Sequence, residues 1–133
     1  MEGVGWLGAI IIGGIAGCAC YFGLFIKSRF GFDDALDVVG VHGVGGTTGA
    51  ILTGVFASLA INAAGANGLL YGGGFALLGK QVIGVVATIV FSFVLAFAFL
   101  KLTDAVVGLR VDDDVELRGL DLGEHSEEGY ILD

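Results

Sequence analysis

Proline is absent from these 133 residues, cysteine occurs twice, and lysine and arginine together number six. Without proline, no helix in the chain carries a proline-derived kink. Cys18 and Cys20 stand two apart, so on a helix their side chains diverge by about 200° and cannot share a disulfide or a metal ion. They read as small apolar fillers. There is no C-x-x-C pair, no H-E-x-x-H, and no serine or cysteine set beside a histidine as a nucleophile requires. No general acid–base pair can be assembled either, so the expectation is a chain that is not an enzyme and takes no metal or other cofactor. Gly43-Val44-Gly45-Gly46 has the look of a phosphate loop, but no Lys-Ser/Thr follows and no soluble strand precedes it. Nucleotide binding is rejected on that ground, and no nucleic-acid partner is expected.

Charge is the scarcest commodity. Gly3 to Ile26, Val38 to Ile61 and Gln81 to Leu100 contain no Asp, Glu, Lys or Arg, and each run is long enough to cross a bilayer core of about 30 Å, which takes roughly 20 residues. The runs are continuously apolar and lack the alternating ten-residue strands of a membrane barrel. Hydrophobic residues make up 56% of the chain and the mean hydropathy is +0.92, more than a soluble domain of this length could hide. The fold class expected is all-α: a polytopic membrane helix bundle with spans near residues 3–26, 38–61 and 77–101. Residues 1–104 form its membrane part and 105–133 a polar tail.

The formal net charge of −8 belongs mostly to that tail, where Ala105 onward holds nine Asp or Glu against two Arg. An acidic segment is repelled by an anionic leaflet, since polybasic segments are the ones that dock there; the tail is expected to contact protein. A salt-rich habitat would produce the same bias. Lys27 and Arg29 follow the first run, and Lys101 and Arg110 follow the third. The positive-inside bias therefore puts the first connection and the tail in the cytoplasm and the N-terminus outside. The start lacks a basic region and its apolar block is longer than a signal peptide needs. Ile15-Ala16-Gly17-Cys18 resembles a lipoprotein cleavage box, but without the basic start.

Small residues recur at helical spacing: Gly5, Ala9, Gly13 and Gly17 in the first run, His42, Gly46, Ala50 and Gly54 beside Gly45, Gly49 and Thr53 in the second, Gly84, Thr88, Ser92 and Ala96 in the third. Such faces let helices approach closely. Phe91, Phe93, Phe97 and Phe99 are spread around the third helix and read as bulk, not as a gate. Asp33, Asp34 and Asp37 stand where the second helix begins. A carboxylate there accepts from unpaired N–H groups and faces the positive end of the helix dipole, contributing roughly 0.5–2 kcal/mol. Between Asp37 and Lys80 lie 42 residues without a charged side chain, and His42 is the only histidine among them. At 1.5 Å per residue it lies roughly 12 Å beyond Asp34, inside the hydrocarbon zone. Polar side chains are costly at that depth and are functional by default; packing alone is the competing reading. A neutral imidazole donates through one nitrogen and accepts through the other, which suits a small polar solute or a proton pathway.

The segment D-D-A-L-D-V-V-G-V-H-G-V-G-G-T-T-G-A-I-L-T-G-V-F-A, Asp33 to Ala57, closely resembles the tenth-helix signature of the Amt/MEP/Rh ammonium transporters, nearer the microbial Amt branch. G-V-G-W-L-G-A-I-I-I-G-G-I-A-G resembles the family's ninth helix, the residues after Lys80 its eleventh, and V-G-L-R-V with R-G-L-D-L-G-E-H-S-E-E-G-Y its C-terminal region. The resemblance implies that His42 is the second of two histidines lining a pore, past which ammonium, deprotonated at an outer vestibule, moves as ammonia. It implies a structural place for Asp34 and Asp37 at the cytoplasmic start of that helix. It implies that Gly108, Leu109 and Arg110, with Gly119, Leu120 and Asp121, belong to a regulatory tail that packs on the cytoplasmic face and couples subunits. His125 is expected to be solvated.

Family members have about eleven spans, and this chain resembles only the last three plus the tail. The partner histidine, the pore phenylalanines and the outer ammonium site belong to the other eight, so alone it cannot form the family's pore. A piece of a full transporter, a split subunit and a remnant all fit. The expected partners are ammonium or ammonia, the lipid bilayer of the cell membrane and the remaining helices of the transporter. The resemblance also implies a homotrimer when complete, and PII signalling proteins are candidate partners at the cytoplasmic face. The alternative function is a non-conducting remnant or an auxiliary assembly or regulatory subunit.

Overall fold

The computed structural model describes residues 3–129, all-helical in its regular structure, with no strand among them. The chain divides into a compact unit Met1–Val90 and a second, Phe91–Asp133. Three stretches are long and apolar enough to cross a membrane: α1 (Trp6–Phe30), Val39–Phe56, and α3 (Ala76–Val106). The middle stretch is composite, a π-helical turn (Val39–Gly43) running into α2 (Val44–Phe56).

Helix α1 ends where the expected chemistry appears. Gly31 takes the left-handed conformation (φ 66°), open to it because it has no Cβ. Its N–H and that of Phe32 both donate to the Lys27 carbonyl, at 2.9 and 3.3 Å. The face α1 turns to the rest of its unit runs through buried Gly8 and Ile12 to half-buried Ala16, Cys20 and Leu24. This is a different stripe from the expected Gly5, Ala9, Gly13 and Gly17: the last three are exposed, and Gly13 and Gly17 have nothing within 4 Å of where a Cβ would be. Gly8 and Gly23 join Ile12 and Leu24 in that contact, while Ala9, Gly13 and Gly17 face away from it.

The second span, expected over 38–61, is helical only to Phe56. Ala57 leaves the helix in an extended conformation (ψ 144°) and bridges to Val4. Ser58 N–H donates to Gly3 O at 2.8 Å, and Ala57 O accepts from Gly68 N–H at 2.7 Å. The apolar composition of residues 57–61 concealed this, because their backbone is satisfied by distant partners. Asn67 and Asn62 continue the pattern, accepting from Leu59 N–H at 2.8 Å and Ala64 N–H at 3.0 Å.

Burial within the chain is sparse. Ile12 and Ala57 are the buried hydrophobic residues among those described, and α3 buries none of its 31 residues. Gly84, Thr88, Ser92 and Ala96 are all exposed.

In the second unit, α4 (Asp113–Arg118) and α5 (Leu120–His125) pack against each other. Val115 lies so close to Gly123 that a Cβ there would sit 2.4 Å from its Cγ1. Gly119 turns the chain between them at φ 98°.

Candidate functional site

The site is built from the end of α1, the connection that follows, and the start of the second span. Asp34 supplies the helix start. Its two carboxylate oxygens accept from Val38 N–H at 2.9 Å and Val39 N–H at 3.0 Å, satisfying donors that a helix N-terminus leaves unpaired. Asp37 has a different place. It sits at φ 56°, in the left-handed region that aspartate enters more readily than most non-glycine residues, and its carboxylate is paired with Lys27 Nζ. The same ammonium donates to the Asp34 carbonyl. Lys27 is therefore bound to both sides of the turn that opens the span.

The π turn follows at once. Val44 N–H donates to Val39 O, five residues back, so this turn holds one residue more than an α-helical turn. Each residue of an α-helix advances by about 100°, so the extra one re-aims everything before it relative to the glycine face of α2. His42 lies inside this turn and is exposed. The sequence pattern had placed it in line with Gly46, Ala50 and Gly54. Single π turns are frequent at functional positions.

Helix α1 braces the turn along its length. A Cβ on Gly23 would lie 3.2 Å from Gly40 O, and one on Gly40 would lie 2.7 Å from Leu24 Cδ2, so the two backbones cross with almost nothing between them. Further along, Cys20 Sγ donates to Val41 O at 3.4 Å, the carbonyl just before His42. Cys20 is thus more than an apolar filler, whereas Cys18 is exposed.

Beyond the turn, Gly45, Gly46, Gly49, Ala50 and Thr53 line an open groove with Gln81. Gly46 and Gly49 have nothing within 4 Å of a Cβ position. Its wall carries two polar side chains, Gln81 and Thr53, and the Thr53 hydroxyl donates to Gly49 O at 2.8 Å; Thr48, on the same helix, donates to Val44 O at 2.8 Å. Gly54 closes its far end, where a Cβ would stand 2.8 Å from Leu78 Cα.

Of the residues expected to matter, Asp34, Asp37 and His42 fall in this one region. Gly108, Leu109, Arg110, Gly119, Leu120 and Asp121 all belong to the other unit. There Arg110 forks onto both carboxylate oxygens of Glu116 at 2.8 and 3.0 Å, and Asp121 accepts from Gly129 N–H at 3.4 Å. His125 is exposed. Sequence reasoning missed Lys27 as part of the site. The available signal was its spacing, a cation in the last turn of one span followed by a carboxylate at position 37.

Residues 2–130 match the Ammonium Transporter Family. The chain belongs to that family. It is 46% identical to the ammonium transporter of Bacillus subtilis over 123 residues, 92% of this chain and 30% of the relative. It is 48% identical to that of Aquifex aeolicus over 130 residues, 97% of this chain and 30% of the relative. With ammonium transporter Amt1 of Archaeoglobus fulgidus the identity is 39% over 123 residues, 92% of this chain and 31% of the relative. The chain thus spans about 30% of the length of these curated relatives. Family membership and three apolar helices together make it part of a multi-pass membrane protein.

Proposed function

We propose that this chain supplies the C-terminal part of an ammonium-conducting channel or transporter, with His42 as its contribution to the substrate path. The carrying observation is that His42, in a span without charged side chains, sits exposed in a π turn four residues before Gly46, which lines an uncovered groove. An imidazole there can hand a small solute from donor to acceptor, and the groove beyond is walled mainly by glycine, with Thr53 and Gln81 as its polar side chains. The remaining helices of the transporter close the path over this face, and the complete subunits form a homotrimer.

Residues 1–104 are the membrane part and 105–133 the cytoplasmic tail, with the N-terminus outside, as the distribution of Lys27, Arg29, Lys101 and Arg110 supports. Asp34 and Asp37 are structural. Gly108, Leu109, Arg110, Gly119, Leu120 and Asp121 belong to the regulatory surface of the tail, which a PII signalling protein would address.

The test is methylammonium uptake in cells lacking other ammonium transporters, comparing the assembled protein with its His42→Ala variant. Loss of flux at unchanged membrane abundance supports the path role. Unchanged flux removes it and leaves a non-conducting assembly or regulatory subunit.

A further inference from the structure

The reading of His42 leaves open what fixes its direction. A π turn is a rare, single-turn departure from the α-helix around it. Here the turn is held from outside at its start and along one side. At its start, Asp34 grips two successive N–H groups, and Asp37 is held in the left-handed region. One side chain reaches both residues: Lys27 Nζ binds the Asp34 carbonyl and the Asp37 carboxylate. Its side chain is only 20% exposed, enclosed on the wall formed with Gly23, Phe32, Val39 and Gly40. The residues one and two turns earlier on α1, Gly23 and Cys20, touch Gly40 and Val41 O of the same turn.

We propose that Lys27 is a positioning residue for His42. By pinning Asp37 in its left-handed conformation, its ammonium sets the register in which the helix starts. The π turn absorbs the extra residue, and the imidazole is aimed accordingly. The residue touches no substrate; it acts through Asp37 and the backbone of the turn. This rests on the reading of His42 as part of the path.

The test compares Lys27→Met, which keeps length and loses charge, with Lys27→Arg, which keeps the charge, in the assembled transporter. Methylammonium uptake is normalised to the amount of protein in the membrane, alongside amide hydrogen exchange of the segment 34–44. The expected result for Lys27→Met is faster exchange confined to that segment and a maximal uptake rate down about tenfold at an unchanged KM. Lys27→Arg recovers most of both. Exchange that stays at the wild-type rate overturns the clamp whatever the flux does. Faster exchange with wild-type uptake overturns positioning, and a simple folding defect would instead lower abundance or fail to be rescued by arginine. His42→Ala measured beside them separates the two ideas: if it too transports normally, the path reading has failed, whereas loss in His42→Ala with normal uptake in Lys27→Met leaves that reading standing and removes only the role of Lys27.

Discussion

Val39–Phe56 and α3 are both apolar enough to cross a bilayer, with mean hydropathies of 1.2 and 2.7, and they reach that result by opposite routes. The first is made of glycine, valine and threonine. It begins in a capped and braced π turn, and it buries Gly54 against the backbone at Leu78. The second is long and rich in phenylalanine, and none of its residues is buried. The more hydrophobic helix is the one with the fewest internal partners. Within this chain, which spans about 30% of its relatives' length, hydropathy and internal packing run in opposite directions. On the proposed reading, a span that presents an imidazole and a bare groove cannot also be uniformly greasy.

The sharpest way to break this comparison is to remove the one polar ring. His42→Ala should lower normalised methylammonium uptake roughly 10- to 100-fold, the rate equivalent of losing about 1.5–3 kcal/mol of hydrogen bonding to a desolvated solute. Ser92→Ala, on α3, should leave uptake at the wild-type rate. Packing is the next contrast. Gly54→Leu places a side chain against the Leu78 backbone, where a Cβ alone would be 2.8 Å away. Overpacking of this kind costs about 1–3 kcal/mol and should reduce the heat-resistant fraction in detergent. Gly84→Leu on α3, where nothing lies within 4 Å of a Cβ, should stay within roughly 0.5 kcal/mol of the parent. If both glycines respond alike, the two helices are packed alike and the contrast fails. The smallest effect belongs to the cap: Asp34→Ala removes the acceptors of Val38 and Val39 N–H and should cost about 1 kcal/mol, read as faster amide exchange at those two residues. Asp34→Asn should recover part of it.

Much of this was legible from charge alone. Three uncharged runs announced three spans, and Asp33, Asp34 and Asp37 ahead of the second announced a helix start, which Asp34 supplies while Asp37 pairs with Lys27; both signals follow from local rules about water, lipid and unpaired N–H groups. What stayed hidden was non-local. Lys27 meets residues 34 and 37 just ahead of the π turn, and no periodicity within Val38–Gly46 encodes that. The second span stops at Phe56 because Ala57 and Ser58 pair with Gly68 and Gly3, although their neighbours through Ile61 are apolar enough to continue it. On α1 the contacts within this chain run through Gly8, Ile12, Gly23 and Leu24, a stripe that the spacing of Gly5, Ala9, Gly13 and Gly17 did not indicate. Small residues permit a close approach without saying which neighbour makes it.

The carbonyl of Lys27 accepts the N–H groups that close α1, while its ammonium holds the turn that opens the next helix. One residue therefore finishes one span and starts another, which bears on how the protein enters the bilayer during synthesis. Val39–Phe56, at a mean hydropathy of 1.2, is a weak candidate for partitioning by itself, whereas α1 stands at 2.2. The Lys27–Asp37 pair, formed during synthesis, would let the two helices enter lipid as a pre-paired hairpin. In a glycosylation-mapping assay of nascent chains, Lys27→Met should leave α1 inserted and lower the insertion of the second span.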